Sequence, residues 1–172
     1  MKTIFLDMDG VLADLESGLK NMLRVNDKDL ANKAYLFRKI LPAYVDIEGF
    51  ARQDPFPQSE ELVDFLLKER KKENFMISIL TSAGNFYKPI SEVANQKKLF
   101  LENHFSNLLH FPFCVTTSGK DKAFFAHERS YLIDDHEKNV SRFIEFGGEG
   151  FHYKNIENLN IVFDSIKNFL NS

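Results

Sequence analysis

Only one cysteine, Cys114, occurs in the 172 residues, so no intramolecular disulfide can form, which agrees with a reducing compartment. Tryptophan is absent altogether. Apolar runs such as residues 75–80 fall far short of the roughly 20 residues that a membrane-spanning helix needs, so no membrane partner is expected. Asp7 and Asp9 interrupt the N-terminal stretch before an export-signal core could form, and the expected location is the cytoplasm. A surplus of one charge is missing too: 22 basic and 25 acidic side chains give a net charge of −3. Such a chain is not built to coat a long nucleic acid electrostatically. Low-complexity tracts and internal repeats are also lacking, and 44% hydrophobic with 27% charged residues excludes wholesale disorder or a fibrous architecture.

What the chain does have is phenylalanine, 18 in all, the composition of a Phe-packed core. Its length suits one domain with a modest insertion. Lys2-Thr3-Ile4-Phe5-Leu6-Asp7 reads as a buried strand delivering an acidic, glycine-containing turn. Asp14 is a suitable N-cap for a first helix reaching about residue 26, and a second helix is expected over residues 28–41, ended by Pro42. Residues 43–57 read as a loop, followed by a helix over residues 59–71 with Ser59 in a capping box. Strands are then expected over residues 75–80, 111–115, 130–133 and 150–152. The intervening helices cover residues 88–103, a short piece from Lys120, residues 136–146 closed by Gly147-Gly148, and 156–170. Near-continuous apolar strands alternating with helices predict an α/β fold: a three-layer, Rossmann-like parallel sheet covered on both faces.

In such a sheet ligands bind at the carboxyl ends of the strands. Three of the expected strands end in reactive residues: Asp7-Met8-Asp9-Gly10, Thr81-Ser82 and Asp134-Asp135. Converging carboxylates repel unless a cation neutralises them, and an all-oxygen cluster suits Mg²⁺ better than zinc, so Asp7, Asp134 and Asp135 are candidate metal ligands. A carboxylate beside Mg²⁺ can attack phosphorus, and a second carboxyl two residues on can protonate the leaving oxygen. That division makes Asp7 the nucleophile and Asp9 the general acid, then the base for water. Thr81, with Ser82 beside it, would donate to phosphoryl oxygens, and a lysine would offset the charge developing there. Lys122 stands twelve residues before Asp134 and is preferred for that role, with Lys120 the alternative. Each element also has a plainer reading: surface acids, an ordinary strand-to-helix turn, an N-cap for the helix at His136, solvated lysines. Their common chain order at strand ends favours the chemical one.

Asp7-Met8-Asp9-Gly10-Val11, the apolar strand ending in Thr81, a lysine, and Leu132-Ile133-Asp134-Asp135 followed by Asn139 resemble the signature of the haloacid-dehalogenase-like (HAD) hydrolases over about residues 3–153. Within that superfamily, residues 7–14, Pro55-Phe56-Pro57 and Leu80-Thr81-Ser82 are similar to the small 5′(3′)-deoxyribonucleotidases. Ala83-Gly84 departs from them where they often carry proline. The resemblance implies a Mg²⁺-dependent phosphomonoesterase with Asp7 phosphorylated. Mg²⁺ would be held by Asp7, the Asp9 backbone carbonyl and Asp134 or Asp135, and the phosphate by Thr81 and a lysine. The implied partner is a small phosphate monoester, and the similarity to the deoxyribonucleotidases implies a deoxynucleoside monophosphate.

The long separation between the first two strands exceeds the about 10–12 residues a crossover needs, so residues 16–74 are expected to form a helical cap on a core of residues 1–15 and 75–172. Among its aromatics, Tyr44 and Phe50 could stack a base, and Arg52 could pair with an anion. Rival readings are a phosphatase for sugar phosphates or polynucleotide 3′-phosphates, a signalling receiver domain, and a silent Mg²⁺-binding protein. An acidic pair on the first strand and the long insertion argue against the receiver domain.

Overall fold

The computed structural model describes residues 1–85, 88–154 and 159–172. Its strands are β1 (Lys2–Leu6), β2 (Phe75–Ser82), β3 (Phe113–Thr116), β4 (Ser130–Asp134) and β5 (Glu149–His152). They form a parallel sheet in the order β3-β2-β1-β4-β5. β1 lies in the middle, with Leu6 opposite Ile79 on one side and Ile133 on the other. The chain winds outward from β1 to β3 and then crosses to β4, so its direction reverses between β1 and β4. That reversal opens the crevice in which an open α/β sheet binds its ligand.

Alternation along the strands sends side chains to two separate cores. Ile4, Leu6, Ile77, Ile79, Tyr131 and Ile133 enter the larger one, while Phe5, Leu80 and Leu132 enter a smaller one on the opposite face. The helices are α1 (Leu15–Leu23), α2 (Asp27–Ala31), α3 (Lys33–Tyr35), α4 (Leu41–Asp46), α5 (Gly49–Arg52), α6 (Ser59–Arg70), α7 (Ile90–His104), α8 (Glu137–Glu145) and α9 (Asn160–Asn171). Leu62 and Leu66 of α6, Phe100 of α7 and Val162 and Ile166 of α9 close the larger core, and Phe143 of α8 the smaller. Helices therefore cover both faces, the three-layer arrangement the strand pattern predicts. Phenylalanine fills both cores, with Phe5, Phe75, Phe100, Phe105, Phe143 and Phe169 all buried.

The α1–α5 stretch departs most from expectation. Asp14 does cap α1, accepting from the Ser17 amide at 3.1 Å. The expected helix at 28–41 is instead broken into α2, α3 and a π-turn over Leu36–Ile40. Pro42 does not stop it; it lies in the first turn of α4. A proline ring clashes with the carbonyl four residues earlier in a regular helix. Here the wider turn, with the Leu41 amide donating to the Leu36 carbonyl five residues back, makes room for it. Residues 43–57, expected as a loop, contain most of α4 and all of α5. Gln58, not Ser59, is the N-cap of α6 at φ +66°, and the Ser59 hydroxyl is buried without a partner among the described residues. The expected helix start at residue 156 lies outside the described residues.

A third apolar cluster joins Leu19, Ile40, Leu41, Tyr44, Val45 and Phe50 to Ala83 and Val93, so the helical insertion packs down on the end of β2 and the start of α7. Its two connecting strands are tied together: the Asp14 amide donates to the Asp54 carbonyl at 2.9 Å and the Phe56 amide to the Leu12 carbonyl at 2.8 Å. The insertion is thereby pinned beside the turn that follows β1.

Candidate active site

β1 ends at the switch point, and its last turn presents Asp7 between the ends of β2 and β4. The Asp7 amide still donates to the Ile133 carbonyl, 2.9 Å away, so the carboxylate leaves the sheet from a fixed backbone. Oδ1 of Asp7 accepts from the Met8 amide at 2.7 Å, and Oδ2 lies 2.7 Å from Nζ of Lys122. Lys122 comes from a 3₁₀ turn, Gly119–Phe125, and reaches Asp134 Oδ2 as well, at 2.5 Å. Asp134 is fully buried; its Oδ1 accepts from the His136 amide at 2.8 Å and from Asn139 Nδ2 at 3.0 Å. One carboxylate oxygen each from Asp7, Asp134 and Asp135 lies within 4.8 Å of the others. Gly10, at φ +78°, passes so close that a Cβ there would stand 2.4 Å from Asp135 Oδ2. Glycine is required at Gly10 for both its conformation and its size.

The electrostatics reflect this crowding. Burial, then the charges of Asp7, Asp134 and Asp9, push the Asp135 carboxyl up to about 8. Burial and the Asp7 charge likewise raise Asp134, against the pull of Lys122. Burial draws Lys122 down, but the charges of Asp7 and Asp134 and its hydrogen bonds to them outweigh it, so the ammonium is held up to about 12. Four carboxylates, Asp7, Asp9, Asp134 and Asp135, face two ammonium groups, Lys122 and Lys97. With all four carboxyls ionised the balance would lack two positive charges, and the donors are all oxygen, the chemistry of a hard divalent cation.

Lys97 is the residue that strand-end reasoning misses. It comes from the middle of α7, is fully buried, and donates to Asp9 Oδ2 at 2.7 Å, Thr81 Oγ1 at 2.7 Å and the Ser82 carbonyl at 2.8 Å. A signal was present: Val93, Lys97, Phe100 and Leu101 fall at helical spacing on one buried stripe, and a lysine on such a stripe must find buried partners. Because Thr81 accepts from Lys97, its own hydroxyl proton remains free to donate to a ligand oxygen.

Asp7, Asp9, Asp134, Asp135, Thr81, Ser82 and Lys122 are thus gathered at one end of the sheet. Lys120 is not among them; it borders a surface cavity of about 480 Å³ with Phe124, Arg142 and Phe146. Tyr44 and Phe50, expected to face a substrate, are buried in the insertion's own cluster, where an apolar ring lowers its free energy by leaving water. The Tyr44 hydroxyl reaches Gln53 at 3.3 Å, and burial followed by the charges of Asp9, Asp14 and Asp54 raises its pKa. Phe50 lies under Lys97, with Nζ 5.1 Å from the ring centre. Arg52 is exposed and donates to the Ile47 carbonyl at 3.3 Å. The His152 ring touches the Asp135 carbonyl at 2.9 Å. Cys114 is partly buried against the smaller core. Among the described residues no helix is long and apolar enough to cross a membrane.

No protein-family model matches the sequence, and no curated protein matches it significantly. Solved structures do match in fold. A HAD family enzyme from Bacteroides thetaiotaomicron, determined as a variant in complex with magnesium and inorganic phosphate, is 16% identical, with 95% of this chain and 99% of that one covered and a TM-score of 0.58. A dehalogenase is 10% identical over 96% of both chains, with a TM-score of 0.60. A HAD-like hydrolase from Porphyromonas gingivalis is 12% identical over 97% of this chain and 98% of that one, with a TM-score of 0.54. At these identities the likeness is one of architecture: the chain has the α/β fold of the HAD-type enzymes.

Proposed function

We propose that this protein is a HAD-type, Mg²⁺-dependent phosphomonoesterase working through an aspartyl-phosphate on Asp7. The observation that carries the reading is the convergence of Asp7, Asp134 and Asp135 at the switch point of the sheet, beside Asp9, Thr81 and Lys122. The magnesium and phosphate complex of the Bacteroides neighbour agrees with it. Asp7, Asp134 and Asp135 would hold Mg²⁺, with the Asp9 backbone carbonyl, and the ion would supply charge stabilisation for phosphoryl oxygens.

The chain's own groups divide the work. An oxygen of Asp7 forms a bond to phosphorus as the bond to the leaving oxygen breaks, and that oxygen's electron pair takes a proton from Asp9. Water then attacks phosphorus while giving a proton to Asp9, and the Asp7–phosphorus bond breaks, releasing inorganic phosphate and the free carboxylate. Lys122, fixed between Asp7 and Asp134, orients the nucleophile and offsets charge, and the Thr81 hydroxyl, with Ser82 beside it, donates to the phosphoryl group.

We further propose that α1–α5 form a cap over the site, and that α6, whose Leu62 and Leu66 pack in the larger core, belongs to the catalytic body. The proposed substrate is a deoxynucleoside monophosphate, on the resemblance carried by residues 7–14, Pro55-Phe56-Pro57 and Leu80-Thr81-Ser82. With Tyr44 and Phe50 buried, Tyr35 and Phe37 are the exposed aromatics of the insertion left to meet a base.

Phosphate release with and without Mg²⁺ tests this across deoxy- and ribonucleoside monophosphates, a 3′-phosphorylated oligonucleotide and sugar phosphates. Mg²⁺-dependent release from deoxynucleotides is expected. Release from sugar phosphates or the oligonucleotide alone would keep the phosphatase and discard the nucleotide, and no release from any substrate would overturn both.

A further inference from the structure

We infer that Lys97 is a positioning residue for the acid–base step, holding Asp9 by one oxygen so that its other oxygen meets the leaving group and later the water. The inference rests on the phosphatase reading above and adds a residue that lies outside the strand ends. Three features support it. Nζ of Lys97 reaches Asp9 Oδ2 at 2.7 Å, and Asp9 Oδ1 is buried with no partner among the described residues. The carboxylate is therefore oriented by one oxygen and uncommitted at the other. The same ammonium donates to Thr81 Oγ1 and the Ser82 carbonyl, so Asp9 is tied to the end of β2, where the phosphoryl group would be received. The Phe50 ring of the insertion also packs beside the ammonium, its centre 5.1 Å from Nζ in a cation–π contact, and the lysine is fully buried.

A buried ammonium with three oxygen partners and an aromatic face has little freedom to move. It is more than a stability element because its longest-range partner is Asp9 itself, brought across 88 residues of sequence. Phe50, expected from its aromatic character to touch substrate, contributes instead through Lys97. A displaced acid–base group of this kind costs about tenfold to hundredfold in rate.

The test is a set of variants assayed with p-nitrophenyl phosphate and with a deoxynucleoside monophosphate at saturating Mg²⁺: Lys97→Met, Asp9→Asn, and the two combined. Lys97→Met should lower kcat about tenfold to hundredfold with KM within about twofold of the parent. The double variant should be no slower than Asp9→Asn alone, because Lys97 acts through Asp9. Losses that multiply in the double variant, or full kcat in a folded Lys97→Met protein, would overturn the inference. If Lys97→Met does not fold, Lys97→Gln, whose amide still donates, and Phe50→Leu, which keeps the lysine, replace it. Each should lower kcat by a smaller factor, and unchanged kcat in both overturns the role. A parent protein that hydrolyses neither these substrates nor the sugar phosphates and oligonucleotide above overturns the phosphatase reading, and this inference with it, whereas an active parent with an unimpaired Lys97→Met overturns this inference alone.

Discussion

Gly10 and Asp135 are in such close register that the smallest side chain at position 10 would occupy the space of the Asp135 carboxylate, 2.4 Å from Oδ2. Gly10→Ala therefore acts twice. Its positive φ costs an L residue about 1–2 kcal/mol, and its methyl group pushes Asp135 out of line with Asp7 and Asp134. The expected outcome is a modest drop in melting temperature together with a much larger, at least tenfold, loss of Mg²⁺-dependent turnover. Thermal melts and phosphate-release rates on the same preparation check it; a loss confined to stability would show that Asp135 is not needed where it stands.

Lys122 bridges two buried carboxylates, and removing one partner of a buried pair costs about 3–5 kcal/mol because charge is left uncompensated. Lys122→Met should be strongly destabilised without metal. Mg²⁺ should then raise its melting temperature by more than it raises that of the parent, since the cation supplies charge the lysine no longer does. Equal Mg²⁺ shifts in the two proteins would count against the cation sharing the Asp7–Asp134 environment.

Most of the sheet was legible because buried parallel strands read as short continuous apolar runs, and the gathering of Asp7, Thr81 and Asp134 at their ends followed from where such sheets bind ligands. The insertion was not legible to the same degree. Pro42 signals a helix end, yet the π-turn before it lets the backbone continue. Tyr44 and Phe50 carry the composition of a stacking surface, but composition does not say which side of a helix faces its own cluster. Lys97 sat in plain view on the apolar stripe of α7, and only the convergence of β1 and β2 reveals that its partners are Asp9 and Thr81.

The raised Asp135 carboxyl makes a pH prediction with a definite sign. Its folded value of about 8 lies above the ordinary aspartate value of about 3.9, so between those values the folded protein keeps a proton that the unfolded chain has lost. The metal-free protein should lose stability as pH rises through that window. Mg²⁺ requires the ionised carboxylate, so its uptake below about pH 8 should release a proton, and its apparent affinity should rise with pH and level off above that value. Calorimetric titration at pH 7 in two buffers of different ionisation enthalpy measures the proton directly. Identical heats in both would exclude a protonated ligand.

Asn139 stands one step behind the cluster, and its substitution separates orientation from charge. Its amide donates to both oxygens of Asp134, at 3.0 and 3.1 Å, and it packs so closely on Gly119 that a Cβ there would lie 2.7 Å from its Oδ1. Asn139 thus steadies Asp134 and the start of the 3₁₀ turn that carries Lys122. Groups that orient metal ligands in this way typically contribute about tenfold to hundredfold in affinity or activity. Asn139→Ala should weaken Mg²⁺ binding within that range, while Asn139→Asp, similar in shape but adding a fifth carboxylate, should also lose the two hydrogen bonds and destabilise the metal-free protein further. If Asn139→Asp binds Mg²⁺ as tightly as the parent, the amide's donation to Asp134 is not what organises the site, and packing against Gly119 is left as its role.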